Sequence, residues 1–266
     1  MIEAQIVSVG LLGPGLPNWA EGRPVLEGLA PFEATEVDPP RPQGLGPRER
    51  RRTSFGVRLA LAVADEAVGS AGEDARMLPA VFGWAHGDGP VMQRLLETLA
   101  TPERHVSPTE FHNSVHNVAV GYWTIASGSH EPCSSIAAGI DTFPATLLKA
   151  LAEVACEDRS VLLVACGIPF PEPLHAVCPV AAPFGVAMVL SPPNRPGGLA
   201  RLSAAYAAGP AADATVPVTG DLRSLWETNA AARVLPLLEC VAARQERSIS
   251  MPYGPKGRLQ LAVAPC

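Results

Sequence analysis

No stretch of the 266 residues stays apolar over the roughly 18 positions that mark a bilayer-spanning helix. The first residues, MIEAQIVSVG, carry an early Glu and lack the basic-then-apolar pattern of an export signal. Together these absences predict a cytoplasmic protein without a membrane span. Basic residues are in the minority, with 20 Lys and Arg against 26 Asp and Glu and a net charge of −6. That balance argues against a nucleic-acid surface. None of the 6 cysteines falls in a C-x-x-C spacing, so neither a zinc site nor any other metal is expected. In a reducing compartment the thiols stay free. Cys156, Cys166 and Cys240 lie in apolar surroundings and are expected in the core.

Several familiar reaction motifs are also missing. His112 and His116 are four apart, which on one continuous helix face could hold a metal, but the Glu and third ligand of an H-E-x-x-H site are absent. GWAHGDGP places glycines before a helix without the Lys-Ser/Thr ending of a phosphate-binding loop or G-x-G-x-x-G spacing. Ser127, Ser129, Ser134 and Ser135 lack a G-x-S-x-G elbow, which leaves a hydrolase triad unsupported. There is no 20- to 50-residue repeat and no second core, so residues 1–266 are expected to form a single domain, and no cofactor is expected.

The sequence does contain alternating strand and helix patterns. AQIVSVGLLGPG reads as an opening strand, followed by a Pro- and Gly-rich surface excursion over 28–47. RERRRTSFGVRLALAVADEAVGSAG has apolar residues at helical spacing and ends in Gly, and LPAVFGWA is a short buried strand. A helix over VMQRLLETLA follows. SPTE places Ser107 as N-cap, Pro108 at the first helical position and Glu110 where a capping box needs it. One helix is predicted from there through FHNSVHNVAVGYWTIA, with Val115, Val118, Tyr122 and Ile125 as its packing face. Later come a strand near 134–139, a helix near 143–156, the apolar strand SVLLVACG, a Pro-rich loop over 168–183, and a pair of strands, FGVAMVLS and ARLSAAYA. A Pro/Ala/Asp linker, a helix from about Asp221 interrupted at Pro236, and a closing strand RLQLAVA complete the reading. Alternation of this kind predicts a layered α/β domain with a mixed sheet.

EPCSSIAAGIDTF (131–143) looks at first like a reactive site. A helix capped by Cys133 would enclose Gly139 and Pro144, costing about 3 kcal/mol for the proline and about 1 for the glycine. A strand over SSIAA, a turn at Gly139–Ile140 and a cap at Asp141 or Thr142 puts Pro144 in the first helical turn, where it is tolerated. In that register Cys133 begins the strand, far from the helix dipole that would activate it, and the elbow residue is Ile140.

Strand, elbow, helix and SVLLVACG resemble the nucleophile region of β-ketoacyl synthases of the thiolase fold, with Ile140 in the place of the catalytic cysteine. LGPRERRRTSFGVRLALAVADEA, VFGWAHGDG, SPTEFHNSVHNVAVGYWTIASG and FGVAMVLS extend the resemblance over most of the chain. SPTEF..SVHN...G is similar to short β-ketoacyl synthase-like proteins called chain length factors, of aryl-polyene-type pathways. The resemblance implies a thiolase-like domain whose second half is truncated to about one helix and one strand, MPYGPKGRLQLAVAP being a remnant of its final turn and strand. It also implies that the two downstream histidines stabilising a developing enolate are missing, since the last histidine is His175.

A non-catalytic partner of a catalytic ketosynthase is therefore expected, with an acyl carrier protein as second partner. The tunnel and interface candidates are Ile140, Phe143, His116, Asn117 and Phe111, with bulk at Ile140 or Phe143 limiting product length. The basic cluster Arg48, Arg50, Arg51 and Arg52 is the candidate docking site for the acidic carrier. Two alternatives stay open: a stand-alone condensing or acyl-transfer enzyme using Cys133, with His130 three residues away as activator, and a structural homodimer.

Overall fold

A computed structural model describes residues 1–209 and 214–266; part of the expected Pro/Ala/Asp linker lies outside the described residues. The chain opens with strand β1 (Ile2–Leu12) and a short helix α1 (Trp19–Leu26). The excursion that follows leads into α2 (Pro47–Arg52) and α3 (Phe55–Ala71). These two are separate helices rather than the one expected, because Ser54 turns extended and caps α3 by accepting from the Val57 N–H. Gly72, left-handed at φ 67°, ends α3 as the sequence predicts.

β2 (Ala80–Trp84) and α4 (Gly89–Ala100) come next, then α5 (Pro108–Ser114) and α6 (Val118–Ser127). Here the expected continuous helix is broken at Val115–Asn117. Ser107 does cap α5 through the Glu110 N–H, but the Glu110 side chain pairs with Arg94 at 2.7 Å instead of closing the box. The break leaves His112 on α5 and His116 in the turn between the two helices. Val118 and Tyr122 pack inward while Val115 and Ile125 stay exposed.

The remainder comprises β3 (Cys133–Ile136), α7 (Thr142–Glu157), β4 (Val161–Gly167), β5 (Phe184–Ser191), β6 (Ala200–Ala208), α8 (Arg223–Thr228), α9 (Leu235–Ala243), β7 (Arg247–Pro252) and β8 (Gly257–Pro265). Pro236 sits in the first turn of α9; the helical stretch is interrupted earlier, at Asn229.

Among the described residues the strands form one mixed sheet in the order β3-β2-β4-β5-β1-β6-β8-β7. β5 and β6 do not form the neighbouring pair that their succession predicts; β1 lies between them, antiparallel to both. The six strands from β4 to β7 are mirrored about the β1–β6 junction, every neighbouring pair antiparallel. Only the first half adds β2 and β3, both parallel to β4. The second half is thus truncated, though it keeps the β7–β8 hairpin and α8–α9, more than the one strand and one helix expected.

Helices cover the first half of the sheet on both faces. α3 and α6 pack on one side, over Val57, Leu61, Trp123, Leu162 and Val189. On the other, α1 and α7 close over Ile6, Leu163 and Met188, and α9 continues this layer onto Leu261 of β8 in the second half. A fully buried side chain of this size contributes about 1.5–3 kcal/mol, so these two layers carry the fold. α3 lies so close on β1 that a Cβ at Gly10 would stand 2.0 Å from the Val63 carbonyl oxygen; only glycine fits there. Cys166 and Cys240 are buried, but Cys156, near the end of α7, is exposed, because the helical face that it occupies turns to solvent.

Candidate functional site

The turn between β3 and α7 is built by local chemistry. Gly139 takes φ 56°, which an L side chain resists. Thr142 Oγ1 accepts from the Ala138 N–H at 3.0 Å and donates to the Gly139 carbonyl at 2.7 Å. Asp141 precedes the helix, but its carboxylate accepts from the Gly254 N–H at 2.8 Å. The β7–β8 turn is thereby tied to the elbow instead of the helix end being capped by Asp141. Pro144 falls in the first turn of α7, as the preferred register requires.

Ile140 stands at the tip, 42% exposed, and carries no nucleophilic atom. It forms a wall shared by two clefts. One, of about 360 Å³, is lined with Asp141, Pro144, Thr215, Trp226, Arg233 and Met251. The other, of about 380 Å³, runs past Trp84, His86, Gly167, Ile168, Thr228 and Asn229.

Asn229, fully buried, holds the second cleft together. Its amide donates to the carbonyls of Gly167 (3.1 Å) and Ala182 (3.0 Å), and its oxygen accepts from the Ala231 N–H at 3.0 Å. In the first cleft the Arg233 guanidinium lies 4.0 Å from the Trp226 ring centroid, within cation–π range. Asn229, Trp226 and Arg233 escaped the sequence reading. An Asn between two helical runs is the sequence signal that marks this position.

Of the expected site residues, only Ile140 lines these clefts. Phe143 is fully buried in the core beneath the elbow and reaches neither. His116 fills the α5–α6 break: Nε2 is 2.7 Å from the Trp84 carbonyl and Nδ1 2.9 Å from Ser135 Oγ. Because a carbonyl can only accept, Nε2 carries the proton. His116 thus braces β2 and β3 from behind the second cleft. Asn117 begins α6 without a side-chain cap bond, and Phe111 points outward from α5 at 64% exposure. Among the described residues no three metal-ligating side chains come together.

Cys133 opens β3 half-buried. Burial first, and then the carboxylates of Glu153 and Glu131, push its thiol above the ordinary range, against one lowering hydrogen bond from the Ala80 backbone. This is the reverse of an activated nucleophile.

Arg48, Arg50, Arg51 and Arg52 all lie on α2. Arg50 is engaged with the Leu45 carbonyl at 2.8 Å, while Arg48, Arg51 and Arg52 are exposed. α2 adjoins α5, since Asn113 donates to the Arg52 carbonyl at 2.6 Å. Glu49, Arg52, His112, Tyr122 and Ile125 share one open groove. Ile125 there is 58% exposed.

Comparison with known proteins agrees with this architecture. Residues 28–247 match the family model described as beta-ketoacyl synthase, N-terminal domain. No curated protein matches the sequence. Among solved structures, the chain is similar to a chain of the complex of a ketosynthase (ApeO) with its chain length factor (ApeC) from Xenorhabdus doucetiae. The TM-score is 0.73 at 23% identity, over 98% of this chain and 100% of that one. The ishigamide ketosynthase/chain length factor gives 0.73 at 13% identity, over 100% and 99%. A beta-ketoacyl synthase from Burkholderia phymatum STM815 gives 0.66 at 12% identity, over 100% of both chains. At these identities the likeness establishes the fold, a thiolase-like ketosynthase architecture.

Proposed function

The chain belongs to the beta-ketoacyl synthase family, and on that premise we propose that it is a non-catalytic chain length factor, partner to a catalytic ketosynthase in polyketide- or fatty-acid-type acyl chain synthesis. The observation that carries the reading is the side chain at the elbow. Where a condensing enzyme needs a nucleophile, this fold presents Ile140, exposed between two clefts. Acyl transfer needs an activated thiolate or equivalent, and the raised pKa of Cys133 weighs against that thiol as a substitute.

A free sheet edge supports pairing. Among the described residues β3 is bonded only to β2, and an unpaired edge offers a template for a second chain. α6 packs against β3, and on α5, in the α5–α6 turn and on α6 the apolar side chains Phe111, Val115 and Ile125 are 64, 41 and 58% exposed, exposure of the kind that marks an interface. In this reading the partner ketosynthase covers β3 and α5–α6, and Ile140 forms the wall that limits the acyl chain. The exposed arginines of α2 receive the acidic carrier protein. Residues 1–266 act as one domain, working in the cytoplasm and self-pairing through the same face when no partner is present. The ketosynthase and chain length factor complexes of similar fold are consistent with this pairing.

The test is native mass spectrometry of the chain alone and with the ketosynthase encoded beside it. A one-to-one complex that replaces any homo-oligomer is expected. A chain whose mass is indifferent to that ketosynthase overturns the reading in favour of a self-sufficient dimer or monomer.

A further inference from the structure

We propose that the cleft between Ile140, Trp226 and Arg233 is a binding site for a small organic monocarboxylate, with Arg233 holding the carboxylate and the surrounding side chains its apolar body. This goes beyond the pairing reading and does not depend on it.

Arg233 is half-buried, and among the described residues its guanidinium makes a single long hydrogen bond, at 3.5 Å to the Glu227 carbonyl. Among the described residues its buried Nε has no partner and no carboxylate lies within ion-pairing distance. The contrast with Arg223 is informative. That residue also faces Trp226, at 5.6 Å, but it is neutralised by Glu227 at 2.8 Å. Among the described residues Asp141 is the acid that lines the cleft, and it has an oxygen engaged with the Gly254 N–H. Burial lowers the pKa of Arg233 more than the nearby charges of Asp141 and Glu227 raise it, as expected of a cation taken partly out of water with no carboxylate in direct contact.

A planar guanidinium with unused donors matches a carboxylate in two-point geometry. The rest of the cleft is shaped for an apolar body. Ile140, Pro144, Trp226, Met251 and Pro252 form its walls, with Thr215 beside them. A bare inorganic anion would leave those walls unused, so the occupant is an organic acid.

Benzoate is the probe, with benzyl alcohol as its neutral counterpart and inorganic phosphate as the bare anion. All three are titrated against the isolated full chain by calorimetry and by NMR of the arginine Nε–H and tryptophan indole signals. Benzoate is expected to bind, moving the Arg233 and Trp226 signals, while benzyl alcohol and phosphate bind at least 10-fold more weakly. Loss of a hydrogen bond to a charged group implies that Arg233→Met weakens benzoate about 10- to 100-fold. Ile140→Trp fills the cleft from its exposed rim, leaves Arg233 in place, and should also abolish binding; it decides the matter if Arg233→Met does not fold. Equal binding of benzoate and benzyl alcohol, phosphate binding as tight as benzoate, or benzoate shifts absent from Arg233 and Trp226 would each overturn the proposal. Because the isolated chain is used, none of these outcomes bears on pairing with a ketosynthase.

Discussion

Replacing Asn229 by alanine strips three backbone groups of their partners at once: the carbonyls of Gly167 and Ala182 and the N–H of Ala231, all bonded at 3.0–3.1 Å to a side chain with no exposure. An orphaned buried polar group costs about 1–3 kcal/mol. The adjoining cleft admits water, which offsets part of the loss, and a net cost of about 3–4 kcal/mol is expected. With a urea slope of about 3 kcal/mol per molar for a chain of this size, the midpoint should fall by about 1 M. Two companion variants separate this cause from simple truncation. In Asn229→Asp one carboxyl oxygen must face two carbonyl oxygens, so the folded state favours the protonated acid and its pKa rises. The stability of that variant is then greatest below the unfolded carboxyl pKa of about 3.9 and declines as pH rises through the folded value. Gly167→Ala would place a Cβ 2.4 Å from Asn229 Oδ1, a clash that disappears when residue 229 is alanine. The double variant should therefore cost clearly less than the sum of the singles. Urea titration followed by tryptophan fluorescence measures all four. A midpoint for Asn229→Ala within about 0.3 M of the parent, or strict additivity with Gly167→Ala, would refute this account of how the elbow clefts are held.

Other substitutions test the remaining assignments. Phe143→Ala should cost about 3–5 kcal/mol of stability because it opens a cavity in the core, whereas Ile140→Ala, at an exposed tip, should cost under about 1 kcal/mol. Of the two, only Ile140→Ala should lengthen products made by the reconstituted pair, read by mass spectrometry of the released acids. Cys133 should be alkylated by iodoacetamide with a pH midpoint above that of an ordinary thiol, resolved by peptide mapping; a midpoint below it would revive the thiol as a nucleophile. Asp88 caps α4 and is raised in pKa chiefly by burial, so its contribution to stability is full below the unfolded value and is lost as pH rises from about 4. Asp88→Asn keeps the acceptor and should flatten that part of the melting-temperature profile; an unchanged profile would point to other groups. Exchanging Arg48, Arg51 and Arg52 for Glu should weaken carrier-protein binding about 10-fold at low salt and less at high salt. Arg50→Glu is left aside because it would also free the Leu45 carbonyl.

The sequence by itself determined those features whose causes act within a few residues. Gly139 and Pro144 allow only one register at the elbow without a penalty, and that register put Cys133 on a strand and Ile140 at the turn. Ser107 and Gly72 marked helix ends through cap chemistry, and alternating strand and helix periods identified an α/β layering. The α5–α6 break was not legible, because no Gly or Pro announces it. It exists because His116 finds the Trp84 carbonyl and Ser135 on strands 32 and 19 residues away. Cys156 looked like a core residue from its apolar neighbours, yet the rotation of α7 turned it to solvent. The insertion of β1 between β5 and β6, and the meeting of Asn229, Trp226 and Arg233 with the elbow, were decided only by tertiary structure. Hydrophobic burial is non-directional, so the composition of a segment specifies that it packs but not against which distant partner. That choice is made by the sheet order and by a few buried polar groups whose hydrogen bonds can be satisfied in only one arrangement.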